Sequence, residues 1–279
     1  MRRGAPLLTA DTHALMAQAL AAGAAQCDCS LDLGLTLTQV SLSPAGFSVG
    51  GMQYPWPAVL KDRTIYHWNG SRFEPVSIYA GALFKLVPTP WGAPTFEIDG
   101  IKMLPTARES PFEDARRKVE LAGVRHKRVL DTCGGLGYFA AWCLRLGAAR
   151  VLSVEKNPSV LWLREHNPWS PPPDPALTLL NAGIDSHIES LSAASFEVVL
   201  HDPPRFGIAG ELYSRQFYLQ LARVMTPGGT LFHYTGSPNS LTSGRDVQGE
   251  VVRRLQECGF QARRALDGVL ARSVLKPIR

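Results

Sequence analysis

The residues with the clearest chemistry lie in three short stretches, each at the end of an apolar run. Val129-Leu130-Asp131-Thr132-Cys133-Gly134-Gly135-Leu136-Gly137-Tyr138 reads as a strand, a glycine turn and the start of a helix. Glycines at 134, 135 and 137 let a ligand approach the backbone, and the helix N-terminus beyond them attracts negative charge. Gly135-x-Gly137-x-x-Ala140 fits the relaxed form of a dinucleotide turn, but Asp131 ahead of it repels a pyrophosphate and suits a cationic ligand. Val151-Leu152-Ser153-Val154-Glu155 places an acid at a second strand tip, about twenty residues on, where an acid accepts both hydroxyls of a ribose. Phe196 to His201 forms a third apolar run, ending in His201-Asp202-Pro203-Pro204-Arg205-Phe206. The prolines stiffen that loop and remove amide donors, leaving Asp202 where a reacting group would lie.

These stretches need a sheet to hold them. From Ser110-Pro111, which reads as a capped helix start, strand-like and helical segments alternate. Strands are expected at 128–133, 150–155, 177–181, 196–201 and 228–234, with two more in 261–275. Helices are expected at 137–147, 158–166, 211–225 and 245–258. This alternation predicts an α/β domain with a mostly parallel sheet, over 109–279.

Residues 1–108 read differently, as a small β-rich accessory domain with a capped amphipathic helix that starts at Thr9 or Asp11 and carries Leu15, Met16 and Leu20. Leu31, Leu33, Leu35 and Leu37 alternate with polar or small residues and predict a strand. Asn69-Gly70 between Ile65-Tyr66 and Phe73 predicts a hairpin. Arg2-Arg3 before an Ala/Leu-rich run imitates a signal peptide, but Asp11 and His13 interrupt the run.

The chain has 279 residues with 45% hydrophobic and 19% charged, a globular composition that excludes fibrous and disordered classes. No apolar run is long enough for a membrane helix. Five cysteines, Cys27, Cys29, Cys133, Cys143 and Cys258, form no CxxC pair, so no structural zinc site or disulfide framework is expected and a reducing cytoplasm fits. No metal-ligand cluster or hydrolytic triad stands at motif spacing. The net charge of +5 falls after residue 110, with Arg253, Arg254, Arg263, Arg264, Arg272, Lys276 and Arg279 near the end. Such crowding suits RNA, and a solvated helix face and tail explain it equally well.

Asp131…Gly135-x-Gly137, Glu155 and Asp202-Pro203-Pro204 resemble class I S-adenosylmethionine-dependent methyltransferases. Phe84–Pro88, Pro94–Met103, Asn167-Pro-Trp-Ser170, Ala209–Tyr213 and Leu231–Tyr234 extend the likeness over about residues 80–260. Together these stretches resemble a family of predicted methyltransferases, described mostly from archaea and related in fold to spermidine synthases. The resemblance implies a Rossmann-like class I sheet with an antiparallel last strand, and S-adenosylmethionine as cofactor. It implies cofactor contacts from Asp131, Thr132, Gly134, Gly135, Gly137, Tyr138, Glu155, Lys156 and Asp185, with Asp131 at the methionine amino end and Glu155 on the ribose. His201, Asp202, Pro203, Pro204 and Arg205 then face the acceptor.

Asp-Pro-Pro is characteristic of members that methylate exocyclic or side-chain nitrogens, and an RNA base is the favoured acceptor. Two departures stand out: Arg205 takes the place of the usual aromatic, with Phe206 after it, and Ala182-Gly183 replace the usual Gly-Asp, with Asp185 two residues on. His233 and Tyr234 end the fifth strand and are further acceptor-side candidates, each with a structural alternative. Other readings are a small-molecule methyltransferase, a polyamine aminopropyltransferase, and a non-catalytic RNA-binding protein. The polyamine reading requires a pocket rich in acids, whereas the fourth strand end offers only Asp202.

Overall fold

The computed structural model describes residues 5–236 and 246–274. Arg2, Arg3, Gly244, Arg245, Lys276 and Arg279 lie outside the described residues. The chain forms two compact units, residues 1–113 with 162–170, and residues 114–161 with 171–279. The first unit therefore also takes up 162–170, a stretch beyond the boundary expected from sequence.

The first unit carries the helix Ala10–Ala21, capped by Thr9, whose hydroxyl accepts from the Thr12 amide. Three small antiparallel sheets follow. One is a meander of Gln26–Cys29, Thr38–Ser43, Gly46–Val49 and Met52–Pro55. Another joins Tyr66–Trp68 to Phe73–Pro75 through the expected hairpin, where Asn69 Oδ1 accepts from the Ser71 and Arg72 amides. Leu8, Met16, Val40, Phe47, Tyr54 and Tyr66 share one core. The strand expected over Leu31–Leu37 is absent. Asp32 Oδ1 accepts from the Leu35 and Thr36 amides and Oδ2 from the Thr36 hydroxyl, while Leu33 and Gly34 take positive φ. These local bonds outweigh the period-two pattern and wind the segment into turns.

The second unit is built on a seven-stranded sheet. Its spatial order is Leu177–Asn181, Arg150–Glu155, Arg128–Asp131, Phe196–His201, Met225–Tyr234, Gly268–Ser273, Phe260–Ala265. The first five pair in parallel, and Gly268–Ser273, the last in sequence, runs antiparallel to its neighbours. Strand order reverses between Arg128–Asp131 and Phe196–His201, so ligands are expected at the carboxyl ends of these two strands. Helices Arg215–Val224 and Val247–Glu257 bury Phe217, Leu221, Val251 and Leu255 in a core shared with Leu130, Val199, Leu231 and Val269.

Two local features fix the carboxyl end of the sheet. The first is a buried polar chain. His201 and His233 are both fully buried with ring centroids 4.5 Å apart. His201 Nε2 donates to Leu212 O at 3.1 Å, which leaves Nδ1 to accept from the Thr132 hydroxyl at 2.7 Å. His233 Nδ1 donates to Tyr234 O, and its Nε2 accepts from Tyr218 Oη at 2.9 Å. The second feature is the two-residue turn Leu266-Asp267. Asp267 O accepts from the Thr235 and Gly236 amides, and the Gln248 side chain donates to Leu266 O and Gly268 O. Gly268 lies so close to the fifth strand that a Cβ there would stand 2.3 Å from His233 O, so only glycine fits.

Burial pushes His233 down to about 4, and burial and the neighbouring His233 hold His201 well below the ordinary histidine range. A depressed histidine binds its proton more readily unfolded than folded. Its stabilisation is therefore full above about pH 6.5 and is lost as the pH falls toward 4. Denaturant titrations of the parent and of His233→Gln should diverge below pH 6.5, the parent losing on the order of 2–3 kcal/mol more by pH 4.5. Equal losses would show that His233 is not held neutral by the fold.

Candidate functional site

The glycine turn leaves the carboxyl end of Arg128–Asp131, where Gly134 N donates to Val154 O and Gly137 N to Gly134 O. Gly135 and Gly137 have φ of +49° and +81°, a left-handed backbone that favours glycine. Gly137 leads directly into the helix Tyr138–Arg145, whose Tyr138 side chain is buried. Glu155 ties the turn to the second strand: Oε2 accepts from the Gly135 amide and Oε1 from the Asn157 amide, both at 2.8 Å. The residue is partly exposed.

Asp131 differs from expectation. It is fully buried, and Ser153 Oγ donates to its Oδ2 at 2.8 Å. With no exposed surface it stands behind the turn, enclosed by the fold. Thr132 is also turned inward, its hydroxyl engaged by His201. Lys156 is exposed. Asp185 is exposed as well and lies over Gly183, where a Cβ would come within 2.6 Å of its Oδ1.

Across the switch in strand order, His201 does not face an acceptor. Both ring nitrogens are satisfied inside the fold, so it positions the loop that follows. That loop is held by Tyr213, whose hydroxyl donates to Pro204 O at 3.1 Å, and by Arg205 O, which accepts from the Ile208 and Ala209 amides. Pro203 is buried, while Pro204 and Arg205 are exposed. Phe206 is 38% exposed and meets the Tyr213 ring edge-on at 5.5 Å, with the Arg254 guanidinium 5.8 Å from its ring centre.

Asp202 is partly exposed, and its carboxylate has no hydrogen-bond partner among the described residues. Burial pushes it up to about 7. Lys118 pulls the other way, and the neighbouring acids Asp114, Asp267 and Asp131 add to the rise.

Lys118 is the residue that sequence reading missed. It lies in the helix Pro111–Ala122 and is 1% exposed. Its ammonium is 2.6 Å from Asp114 Oδ2, 3.2 Å from Asp267 Oδ2 and 4.1 Å from the centre of the Tyr234 ring. Burial works against its charge, but Asp202, Asp114 and Asp267 outweigh it and hold the ammonium above the ordinary lysine range. A signal was present: Asp114 and Lys118 stand four apart on a face otherwise filled by Ala115, Val119 and Ala122. Acids at the fourth strand end are therefore more numerous than the sequence suggested, since Asp114 and Asp267 join Asp202.

Several C-terminal cations are engaged within the unit. Arg253 pairs with Glu257, Arg254 donates to Tyr213 O, and Arg264 pairs with Asp246. Among the described residues no group of His, Cys, Asp and Glu could hold a metal ion, and no helix is long and apolar enough to cross a membrane.

No protein-family model matches the chain. Polyamine aminopropyltransferase 2 of Streptomyces coelicolor is 32% identical over 155 residues, which span 50% of this chain and 26% of that protein. A spermidine synthase solved with the transition-state analogue AdoDATO superposes with a TM-score of 0.56 at 18% identity, over 72% of this chain and 75% of that one, a likeness of fold. The uncharacterized protein MJ1233 of Methanocaldococcus jannaschii is 40% identical over 221 residues, covering 76% of this chain and 74% of that protein. With identity of that depth over most of both chains, this chain belongs to the family of MJ1233.

Proposed function

We propose that the chain is an S-adenosylmethionine-dependent methyltransferase acting on the nitrogen of an exocyclic amine, with an RNA base as the favoured acceptor. The observation that carries this reading is Asp202, a carboxylate without a hydrogen-bond partner among the described residues, on a proline-stiffened loop across the switch point from the glycine turn. The residues at the turn suit the cofactor: a backbone free of side chains at Gly135 and Gly137, a partly exposed Glu155 for the ribose, and the field of Asp131 for a cationic methionine end. When bound, S-adenosylmethionine supplies an electrophilic methyl group on a sulfonium.

Asp202 then accepts a hydrogen bond from the amine and aims the nitrogen lone pair at that methyl. Held by the glycine turn and Glu155, the cofactor would supply the methyl group, and its sulfur would keep the C–S bonding pair as the N–C bond forms. The amine proton would pass to the Asp202 carboxylate. A carboxylate with a midpoint near 7 is suited to take it. Alignment supplies most of the rate in such a displacement. The exposed Phe206 and Arg205 beside the loop offer an aromatic face and a cation to a base and its phosphate.

Aminopropyl transfer is the second reading. The partial identity to a polyamine aminopropyltransferase favours it.

Calorimetric titration with S-adenosylmethionine and with its decarboxylated form separates the two. The intact cofactor should bind more tightly, and preference for the decarboxylated form would overturn methyl transfer. Glu155→Ala should weaken binding roughly tenfold or more. Asp202→Ala should bind the cofactor as the parent does yet lose turnover by about 100-fold or more. For the parent, turnover should rise with pH through about 7 as Asp202 ionises, and a flat profile would remove Asp202 as proton acceptor.

A further inference from the structure

The second unit carries an ammonium cage that is already filled. Asp114, Asp267 and Tyr234 surround Lys118 Nζ at contact distance, and Asp202 acts on the same charge. Two carboxylates and an aromatic face are the groups that recognise a primary ammonium. The geometry points to Lys118 as the specificity-determining residue of this site, a built-in cation that occupies the carboxylates a second ammonium of a diamine acceptor would require.

This inference rests on the transferase reading above and names its substrate class: the acceptor is an uncharged amine. A diamine places one nitrogen at the reacting centre and requires acids for the other, which stays protonated near neutral pH. Here Asp114 and Asp267 are both engaged by Lys118. A second ammonium drawn to these carboxylates would meet a buried like charge, and that repulsion disfavours it. Asp202 makes no hydrogen bond among the described residues, and one carboxylate facing an N–H group suits a neutral amine.

The anchoring is rigid on each side. Asp114 sits one helical turn from Lys118. Asp267 is held by the hydrogen bonds of the Leu266-Asp267 turn, and Tyr234 ends the central strand Met225–Tyr234.

The test replaces Lys118 by methionine, which keeps most of the side-chain volume and removes the charge. Putrescine is titrated calorimetrically into the parent and into Lys118→Met, with S-adenosylmethionine titrated into both in parallel. Lys118→Met should bind putrescine roughly tenfold or more tightly than the parent does. A folded Lys118→Met with no gain overturns the inference, as does a parent that already binds putrescine equally well.

If Lys118→Met does not fold, Lys118→Ala is refolded with n-propylammonium or with n-propanol. Recovery of near-ultraviolet dichroism with the ammonium alone supports the cage, and no recovery, or equal recovery with the alcohol, overturns it. Failure of both proteins to bind S-adenosylmethionine would count against the transferase reading and is read separately from the putrescine result.

Discussion

The contact between Thr132 Oγ1 and His201 Nδ1 holds the two halves of the candidate site at a fixed separation. Thr132 follows the strand that ends in the glycine turn, and His201 ends the strand that leads to Asp202. The bond crosses the point where strand order reverses, where two neighbouring loops diverge and leave room for a ligand. With the imidazole neutral and Nε2 donating to Leu212 O, Nδ1 is the acceptor for the Thr132 hydroxyl. Burial enforces that state and also couples His201 to His233 and Tyr218. The polar chain thus joins the central strands to the helix Arg215–Val224, and the Asp202 loop inherits its rigidity.

On this frame the charges divide by role. Asp131 is fully enclosed and stands behind the turn, whereas Glu155, partly exposed, closes the turn from the side. Asp114 and Asp267 pair directly with a buried cation, and Asp202 feels the same charge without a hydrogen bond among the described residues. The same scaffold superposes on a spermidine synthase, a likeness of fold that does not by itself assign a reaction.

The order of the second unit was legible in the sequence because its signals are local. Apolar runs alternate with helical segments, and the glycines at 135 and 137 mark a turn that needs positive φ. Glu155 and Asp202 were legible as candidates because each stands at the tip of such a run. Lys118 and Asp267 were missed because they belong to elements remote in sequence, which meet only when Gly268–Ser273 inserts beside the fifth strand. His201 was misread for a related reason: strand-end position does not reveal which way a ring turns, and here it turns toward Thr132 and Leu212. The Leu31–Leu37 pattern misled because Asp32 offers the backbone closer partners than a neighbouring strand does.

Gly268 has no side chain and touches no ligand, yet it sets where a charge resides. The strand can lie against His233 O only because nothing projects from this position, and the turn carrying Asp267 is continuous with it. A single methyl group at 268 would push the turn away from the fifth strand and leave Lys118 with one counter-ion fewer. The position is therefore under an electrostatic constraint enforced by shape. A mutational scan would register it among the acids of the site, and a chemist looking for functional groups would pass over it.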